Sequence, residues 1–467
     1  MMSNPRFMIA APSSGSGKTM LTCGILAALK RRGIAVSAFK CGPDYIDPMF
    51  HRQVLETPSR NLDPFFTDRE TTRYLFARAA AGADLSVMEG VMGYYDGLGG
   101  QETKASAYDL AAMTDTPVLF VVNTKGMSLS VVPLIKGFLS YREPSGISGV
   151  ILNQTSGMLY PRIKQAVERE LSIPVLGYVP SMEEMKLESR HLGLVLPEEV
   201  KNLQERMENL GATLEKTLDL DGILALAAGA CEIPLRVPAS LKEVLDSREA
   251  AECRKAAPVI AVAKDEAFCF LYEDNLKLLE ELGARLLTFS PLRDREIPKK
   301  ADGILLCGGY PELYADRLEK NASMRESVSQ RLKEGLPYLA ECGGFLYLHE
   351  ELEDMEEKRR AMAGVIPGRA YRTGKLGRFG YISLESEKDS ALGSGIGALP
   401  AHEFHYFDSP NCGEDFLAVK PVGGRSWRCI HATDHSMAGF PHLYYHSNPR
   451  FALEFLQKCA AYGGKRR

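Results

Sequence analysis

The sequence has little net charge, no long apolar run and no closely spaced cysteines. Its 467 residues carry a formal charge of −4, so no broad basic field points to nucleic acid. No run of 18 apolar residues occurs, which argues against a membrane span. The ten cysteines form no C-x-x-C pair or metal-ligand spacing, and the first residues lack the features of a signal peptide. We therefore expect a soluble, cytoplasmic protein with reduced thiols.

The length and the order of the apolar segments predict two α/β domains. A chain of 467 residues exceeds what one hydrophobic core usually holds. Over residues 1–229, apolar runs alternate with helical patterns, which predicts a doubly wound parallel sheet. Residues 230–257 contain prolines and charges and are predicted to be a linker with a short helix, before a second α/β pattern over 258–455. The strands predicted in the first domain are RFMIAAP, AVSAFK, LSVMEGV, PVLFVVN, GVILNQ and VLGYVP.

The segment APSSGSGKT, residues 11–19, resembles a phosphate-binding loop with one departure. It lies between a predicted strand and a predicted helix and ends in the G-K-[ST] of the pattern G-x-x-x-x-G-K-[ST], but Pro12 replaces the first glycine. Backbone N–H groups and a helix N-terminus would both face an anion here, which favours ATP binding over a plain Ser/Gly loop with a capping lysine. The predicted ATP-binding residues are Ser14, Gly15, Ser16, Gly17, Lys18 and Thr19.

Charged side chains follow two further predicted strands, in FKCGPDYIDPMFH and VMEGVMGYYDG. The lysine, histidine and carboxylate residues in these stretches are Lys40, Asp44, Asp47, His51, Glu89 and Asp96. Ligands of open α/β sheets bind beyond the carboxyl ends of the strands, so we expect these groups beside the phosphate loop. Carboxylates beside a triphosphate need a cation, and Mg²⁺ prefers oxygen ligands. The predicted Mg²⁺ ligands are Thr19, Glu89 and Asp47, with Asp44 as the alternative to Asp47; exposed loop acids are the other interpretation.

The stretch LAECGGFLYL is typical of a cysteine nucleophile at a sharp turn between a strand and a helix. The small residues after Cys342 permit the turn, and the helix N-terminus is expected to lower the pKa of the thiol. The earlier stretch CGGYPELY ends a predicted strand and is expected to offer backbone N–H groups to an oxyanion. Gly309 and Gly343 are the predicted oxyanion donors.

A cysteine nucleophile needs a base, and two histidine-containing stretches follow it. PAHEFHYFDS and GFPHLYYHSNPRF provide the candidates His402, His405, His442 and His446. Periodicity does not separate the last two, so both remain open at this point.

In order along the chain, GPDYIDPMFH, EGVMGYYDG, ECGGFLYL and AHEFHY resemble the cobyrinic acid a,c-diamide synthases of cobalamin biosynthesis. The N-terminal half also resembles dethiobiotin synthetase and the septum-site ATPases, and the C-terminal half resembles type-1 glutamine amidotransferases. The resemblance implies an ATP-binding amidoligase domain followed by a glutaminase domain with a Cys342–His442 dyad. Most type-1 amidotransferases carry Glu two residues after the histidine, whereas this chain has Tyr444.

The resemblance also implies the reaction. Cobyrinic acid, ATP and L-glutamine would be the substrates and Mg²⁺ the cofactor. An acyl phosphate of the a or c acetate would react with ammonia that arrives from the glutaminase site by an internal path. Asp44, Asp47 and Asp96 would hold Mg²⁺, orient the carboxylate or position ammonia, and the sequence does not divide these roles. AHEFHY is assigned to substrate binding or to the domain interface.

Several alternatives stay open on the sequence. The same chemistry could act on hydrogenobyrinic acid or nickel-sirohydrochlorin, since nothing in the sequence identifies the macrocycle or its metal. Cobyric acid synthase, a related enzyme, is not expected to carry GPDYIDP. A protein of another class, a nucleotide-switched ATPase of the septum-site type, would leave the C-terminal domain inert and Cys342 without a purpose. The oligomeric state is not readable, and a homodimer is one alternative.

Overall fold

The computed structural model divides into two compact units, Met1–Val237 and Pro238–Arg467. It describes residues 4–182, 189–190, 193–194, 197 and 200–466. The stretch predicted as a linker, 230–257, contains two helices that belong to the second unit. Within the described ranges, no helix is both long enough and apolar enough to cross a membrane.

The first unit alternates strands with helices. A short 3₁₀ helix, Leu98–Gly100, lies between β4 and α4. In chain order its strands and helices are β1 (Arg6–Ala10), α1 (Lys18–Arg31), β2 (Val36–Cys41), α2 (Ile46–Leu55), β3 (Ser59–Leu62), α3 (Arg69–Ala80), β4 (Leu85–Glu89), α4 (Ala107–Met113), β5 (Val118–Asn123), α5 (Val131–Tyr141), β6 (Ile147–Asn153), α6 (Tyr160–Leu171), β7 (Val175–Val179), β8 (Ser189–Arg190), β9 (Gly193–Leu194), α7 (Leu203–Thr217) and α8 (Leu220–Ala228).

A seven-stranded parallel sheet forms the centre of this unit, in the order β3-β2-β4-β1-β5-β6-β7. All six strands predicted from apolar runs are present, because strands buried on both faces are apolar throughout. The edge strand β3 was not predicted. Its sequence, SRNL, has only one apolar side chain. The order brings the carboxyl ends of β2, β4 and β1 side by side, where ligands of such sheets bind.

The second unit begins with two helices and ends with a long one. Short 3₁₀ helices cover Pro311–Tyr314 and Tyr445–Ser447. Its other elements are α9 (Ala239–Leu245), α10 (Arg248–Ala256), β10 (Val259–Ala263), α11 (Glu273–Glu281), β11 (Arg285–Phe289), β12 (Gly303–Leu306), α12 (Ala315–Lys320), α13 (Ala322–Lys333), β13 (Tyr338–Glu341), α14 (Gly343–Leu348), β14 (His349–Glu353), β15 (Arg359–Ala361), β16 (Ile366–Arg372), β17 (Phe379–Ser386), β18 (Leu399–Phe404), β19 (Phe407–Asp408), β20 (Phe416–Val419), β21 (Ser426–Cys429), β22 (His431–Ala432), β23 (Ser436–Gly439), β24 (His442–Leu443) and α15 (Pro449–Arg466).

Its main sheet has the order β11-β10-β12-β13-β23-β22, parallel except for the pairing of β22 with β23. A second sheet, β21-β20-β17-β18-β24, is antiparallel. In it, His402 of β18 lies opposite His442 of β24. The stretch AHEFHY therefore includes the end of β18, and its His402 lies beside His442 of β24.

The helix after Cys342 lies so close to β12 that residue 344 must be glycine. A Cβ on Gly344 would clash with the backbone carbonyl of Leu306. Gly344→Ala is expected to lower the free energy of unfolding by about 1–3 kcal/mol, measured by urea unfolding of the full chain. Gly464→Ala is the control, since a Cβ at Gly464 in α15 has open space. Equal stability of Gly344→Ala and the parent protein would contradict this packing.

Candidate functional site

The phosphate loop between β1 and α1 has its shape fixed by two glycines and one asparagine. Gly15 and Gly17 have φ angles of 72° and 85°, which glycine adopts without steric cost. The amide of Asn153, at the end of β6, donates a hydrogen bond of 2.9 Å to the carbonyl of Ser16. Helix α1 begins at Lys18, so its N-terminus opens onto this loop. The loop can therefore bind an anion although Pro12 replaces the first glycine of the usual pattern.

Lys18 is folded back across the loop. Its Nζ donates hydrogen bonds to the carbonyls of Ser13, at 3.1 Å, and Met92, at 2.5 Å. Burial, assisted by the charge of Lys40, lowers the pKa of Lys18 to about 8. The buried ammonium group of Lys18 has lost water of hydration, and phosphate oxygens would be stronger hydrogen-bond acceptors for it than the two carbonyls. Lys18 is therefore well placed to move onto a phosphate.

A buried network of charged and polar side chains joins the ends of β2 and β4 to helices α1 and α2. The carboxylate of Glu89 accepts hydrogen bonds from Thr19 Oγ1 at 2.7 Å and from Lys40 Nζ at 2.9 Å. Its other oxygen lies 2.8 Å from Nε2 of His51. Lys40 Nζ also lies 2.5 Å from the carboxylate of Asp47. The structure thus brings together the three predicted Mg²⁺ ligands, with Lys40 between the two carboxylates.

The charges in this network shift one another's pKa. Burial opposes ionisation of Glu89, but Lys40 and His51 outweigh it and lower the pKa of this carboxyl. Burial alone would lower the pKa of Lys40, yet Asp47 and Glu89 raise it. Burial and the charge of Asp44 raise the pKa of Asp47 well above its usual range. A cation bound beside Asp47 would favour the ionised form of its carboxyl group.

Asp44 and Asp96 each accept hydrogen bonds within their own loops. The Asp44 carboxylate accepts from the backbone N–H of Ile46 at 2.8 Å, at the start of α2. The Asp96 carboxylate accepts from the N–H of Gly93 at 2.9 Å. A Cβ on Gly93 would touch both Asp96 and the carbonyl of Pro12, which places Asp96 beside the phosphate loop.

The donor set at these strand ends fits Mg²⁺. Among the residues that the structure describes, no group of three or more His, Cys, Asp and Glu side chains has the spacing of a metal cage. Mg²⁺ rarely uses such a cage, because it keeps several waters and phosphate oxygens and takes one or two carboxylates. Thr19, Asp47 and Glu89 offer only oxygen atoms. Binding of Mg²⁺ to them remains a prediction.

Cys342 lies at the predicted sharp turn in the second unit. Strand β13 ends at Glu341, α14 begins at Gly343, and Cys342 between them has φ 46° and ψ −100°. Positive φ is strained for a residue with a side chain and is typical of a nucleophile at a strand-to-helix turn. The N–H of Cys342 donates to the carbonyl of Gly439 at 2.8 Å, which fixes the turn against β23.

The two predicted oxyanion donors lie in contact. A Cβ on Gly343 would lie 2.9 Å from the backbone nitrogen of Gly309. Gly309 itself has no room for a side chain, because a Cβ there would clash with the carbonyl of Ala267. Glycine at both positions therefore lets two backbone segments meet beside Cys342.

The expectation of a lowered thiol pKa at Cys342 is wrong for the structure without substrate. Burial raises this pKa, and the nearby carboxylates of Glu312, Glu403 and Glu341 raise it further. Helix α14 has only six residues, and a hydrogen bond from Gly343 opposes the increase only in part. A thiol whose pKa is raised in this way can act as a nucleophile only if a base removes its proton.

Cys342 is accordingly expected to react slowly with iodoacetamide at neutral pH when glutamine is absent. Its rate should be below that of the exposed Cys231 and should rise about tenfold per pH unit in the alkaline range, because only the thiolate reacts. Peptide mass spectrometry after timed alkylation measures both sites in one chain. Preferential modification of Cys342 at neutral pH would contradict the raised pKa.

The structure separates His442 from His446. The ring of His442 lies against Gly308, because a Cβ added to Gly308 would clash with Cε1 of His442. Gly308 in turn lies next to Gly343. Nδ1 of His442 lies 3.6 Å from the carboxylate of Glu341. His446 is buried one short turn later, with its ring centroid 6.1 Å from that of Tyr444. His442 is therefore the histidine beside the turn that carries Cys342.

The other two candidate histidines, His402 and His405, are buried and packed against other parts of the second unit. Burial and the charge of His442 lower the pKa of His402 to about 3. His405 stacks on Phe440 with ring centroids 3.9 Å apart, and its Nδ1 lies 2.6 Å from the carbonyl of Phe407. Both rings are buried beside the elements that support Cys342 and His442.

Sequence reasoning assigned no role to several residues of these sites. Lys40 and His51 were recognised as charged loop neighbours, yet only the structure places them on Glu89. Asn153 and Glu341 gave no usable signal, because each lies near a residue that is far away in the sequence.

Comparisons with known proteins give both units a family. A CobQ/CobB/MinD/ParA nucleotide-binding domain matches residues 7–195, and a CobB/CobQ-like glutamine amidotransferase domain matches residues 259–448. The cobyrinate a,c-diamide synthase of Caldanaerobacter subterraneus subsp. tengcongensis is 37% identical over 98% of this chain and 99% of its own. Those of Priestia megaterium and Listeria monocytogenes serotype 4b are 36% and 39% identical over 100% and 95% of this chain and 99% and 97% of theirs. The chain belongs to the cobyrinate a,c-diamide synthase family.

Family membership confirms the predicted fold class: a nucleotide-binding α/β unit with a parallel sheet, followed by a glutamine amidotransferase unit. The nucleotide-binding match spans the phosphate loop and Glu89, and the amidotransferase match spans Cys342 and His442. Members of this family are glutamine-dependent ligases that form amides. The role of each residue in the two sites remains to be tested.

Proposed function

We propose that this chain uses ATP and glutamine to convert the a and c acetate carboxylates of cobyrinic acid into amides. The observation that carries the proposal is the similarity to cobyrinate a,c-diamide synthases over nearly the whole chain, and so over both candidate sites. The contacts at each site support a division of labour. One releases nitrogen from glutamine, and the other activates a carboxylate.

At the glutaminase site, Cys342 attacks the side-chain amide carbon of glutamine. His442 takes the thiol proton, and the N–H groups of Gly309 and Gly343 stabilise the oxyanion. The tetrahedral intermediate expels ammonia, which takes its proton from the imidazolium of His442. Water then hydrolyses the thioester to glutamate and regenerates the thiol. The raised pKa of Cys342 fits this order of events, since the thiolate forms only when His442 accepts the proton.

At the nucleotide site, the substrate carboxylate attacks the γ-phosphorus of ATP and forms an acyl phosphate, with ADP as leaving group. The loop of residues 14–19 binds the phosphates through backbone N–H groups, and Lys18 stabilises charge on the transferred phosphoryl group. Thr19, Asp47 and Glu89 would hold Mg²⁺, which supplies positive charge to the phosphate oxygens when bound.

Ammonia completes the amide by attacking the acyl carbon, and inorganic phosphate leaves. Phosphate is a far better leaving group than hydroxide, so ATP cleavage makes the step favourable. We propose that Asp96, beside the phosphate loop, orients the carboxylate or ammonia, and that Asp44 fixes the loop that presents Asp47. Ammonia used before it escapes to water is not lost by protonation.

The mass of the product tests the substrate directly. Purified protein is incubated with glutamine, MgATP and, in parallel, cobyrinic acid, hydrogenobyrinic acid or nickel-sirohydrochlorin. We expect cobyrinic acid to lose two hydroxyl groups and gain two amino groups, with one glutamate and one ADP released per amide. Unchanged cobyrinic acid beside a doubly amidated macrocycle of another kind would overturn the substrate assignment.

A further inference from the structure

The second unit lacks the acid that most type-1 amidotransferases place two residues after the histidine. That position holds Tyr444, whose ring packs against Tyr272 with centroids 5.2 Å apart. The Tyr444 hydroxyl donates to the carboxylate of Asp274 at 3.4 Å, in the interior of the unit. Tyr444 is therefore occupied in packing and has no carboxylate to offer to His442.

A carboxylate reaches His442 from a different element. Oε2 of Glu341 lies 3.6 Å from Nδ1 of His442. Glu341 is the last residue of β13 and immediately precedes Cys342, and its side chain is only 14% exposed. The end of one strand thus carries the acid that lies near the histidine ring, and the thiol follows it directly in the chain.

The position of Glu341 is fixed by the sheet. Glu341 pairs with Gly439 of β23, and the next residue, Cys342, donates its N–H to the carbonyl of Gly439. From Gly439 the chain needs only three residues to reach His442, which is itself held opposite His402. Because Gly308 has no side chain, the imidazole of His442 can lie directly against its backbone. Glu341 and His442 therefore approach each other through backbone pairing.

We propose that Glu341 positions His442 for catalysis, an inference that rests on the proposed glutaminase function. Its carboxylate accepts a hydrogen bond from Nδ1–H, so that the proton stays on Nδ1 and Nε2 is left to accept the proton of Cys342. Once Nε2 is protonated, the carboxylate stabilises the imidazolium until the proton passes to the leaving ammonia. The distance of 3.6 Å is longer than a hydrogen bond, as is common before substrate tightens a catalytic site.

Glu341→Gln tests this role, because glutamine keeps the shape but offers an N–H where His442 needs an acceptor. The full-length protein is assayed with MgATP and cobyrinic acid, using glutamine or ammonium chloride as nitrogen source. We expect kcat with glutamine to fall about 100-fold, with KM for glutamine changed by no more than about twofold. The rate with ammonium chloride should stay at the parental value, and Glu341→Asp should recover part of the glutamine-driven rate.

Glu353→Gln is the matched control, because Glu353 ends strand β14 in a different sheet from β13 and pairs there with Arg359 of β15. Equal kcat for Glu341→Gln and the parent with glutamine would overturn the inference. So would a parallel loss of the ammonium-driven rate, which would mark a structural role. If Glu341→Gln does not fold, Glu341→Ala takes its place: a parental kcat with glutamine in that variant overturns the inference. Absence of glutamate release from the parent protein would instead contradict the proposed function itself.

Discussion

Replacement of Cys342 by serine is expected to abolish amide formation from glutamine and to leave amide formation from added ammonia intact. The serine hydroxyl is a much weaker nucleophile than the thiolate, so the glutamine-driven rate should fall by about 10⁵-fold or more. Ammonia enters after this step and meets an unchanged acyl phosphate. The assay compares amide produced with glutamine and with ammonium chloride, at saturating MgATP.

Cys412→Ser is the matched control for this substitution. Cys412 is a half-buried cysteine of the same unit whose thiol donates to the carbonyl of Ser409 at 3.1 Å, a contact that serine can also make. Its glutamine-driven rate should equal that of the parent. Glutamine use by Cys342→Ser at the parental rate would exclude Cys342 as the nucleophile. Loss of the ammonia-driven rate would show that the substitution damages more than glutamine hydrolysis.

Lys18→Ala is expected to suppress amide formation from both nitrogen sources by about 10³-fold, because a positive group on the transferred phosphoryl is lost. Lys18 lies in the loop at the start of α1, and its Nζ has only backbone carbonyls as hydrogen-bond acceptors in the contacts described above. Loss of its charge should therefore impair nucleotide use without breaking a buried ion pair. Parallel titrations with ATP measure both affinity and kcat.

Lys30→Ala, in the last turn of the same helix, is the control for charge removal. Lys30 is half exposed and lies 3.7 Å from the carboxylate of Glu56 at the surface, where such pairs contribute little to stability. Its rates should match the parent with either nitrogen source. A Lys18→Ala protein that still forms amide from ammonia at the parental rate would show that residues 14–19 do not hold the reacting nucleotide.

Local sequence patterns predicted the strands whose side chains are buried on both faces of the sheet. The apolar strands of the first sheet are buried on both faces, and each was recognisable. Edge strand β3 was missed because only Leu62 in it is apolar. The antiparallel sheet around β17 and β18 was missed because its strands mix polar and aromatic residues and are joined by loops of unequal length.

The same limit applies to the candidate sites. Strand ends with carboxylates predicted which side chains would gather near the phosphate loop, since parallel strands align their carboxyl ends. That Lys40 lies between Asp47 and Glu89 depends on atomic distances that no pattern contains. For the same reason, the search for an acid two residues after His442 could not find Glu341, which comes from another strand.

The pKa of the Cys342 thiol shows that the surroundings of a motif can reverse the effect expected from the motif alone. A cysteine at a helix N-terminus usually has a lowered pKa. Here the helix is short, the thiol is buried and three carboxylates lie near it, so the pKa rises instead. In the proposed mechanism His442 removes the proton of the thiol, so we expect Cys342 to be unreactive until glutamine is bound.

The central claim is that two sites on one chain serve a single reaction, and simultaneous measurement of glutamate, ADP and amide tests it most directly. With cobyrinic acid, glutamine and MgATP, the three products should appear in equal amounts, and ammonium chloride should replace glutamine without changing the ratio of ADP to amide. Glutamate released without ADP or amide, or ADP released without amide, would contradict the account.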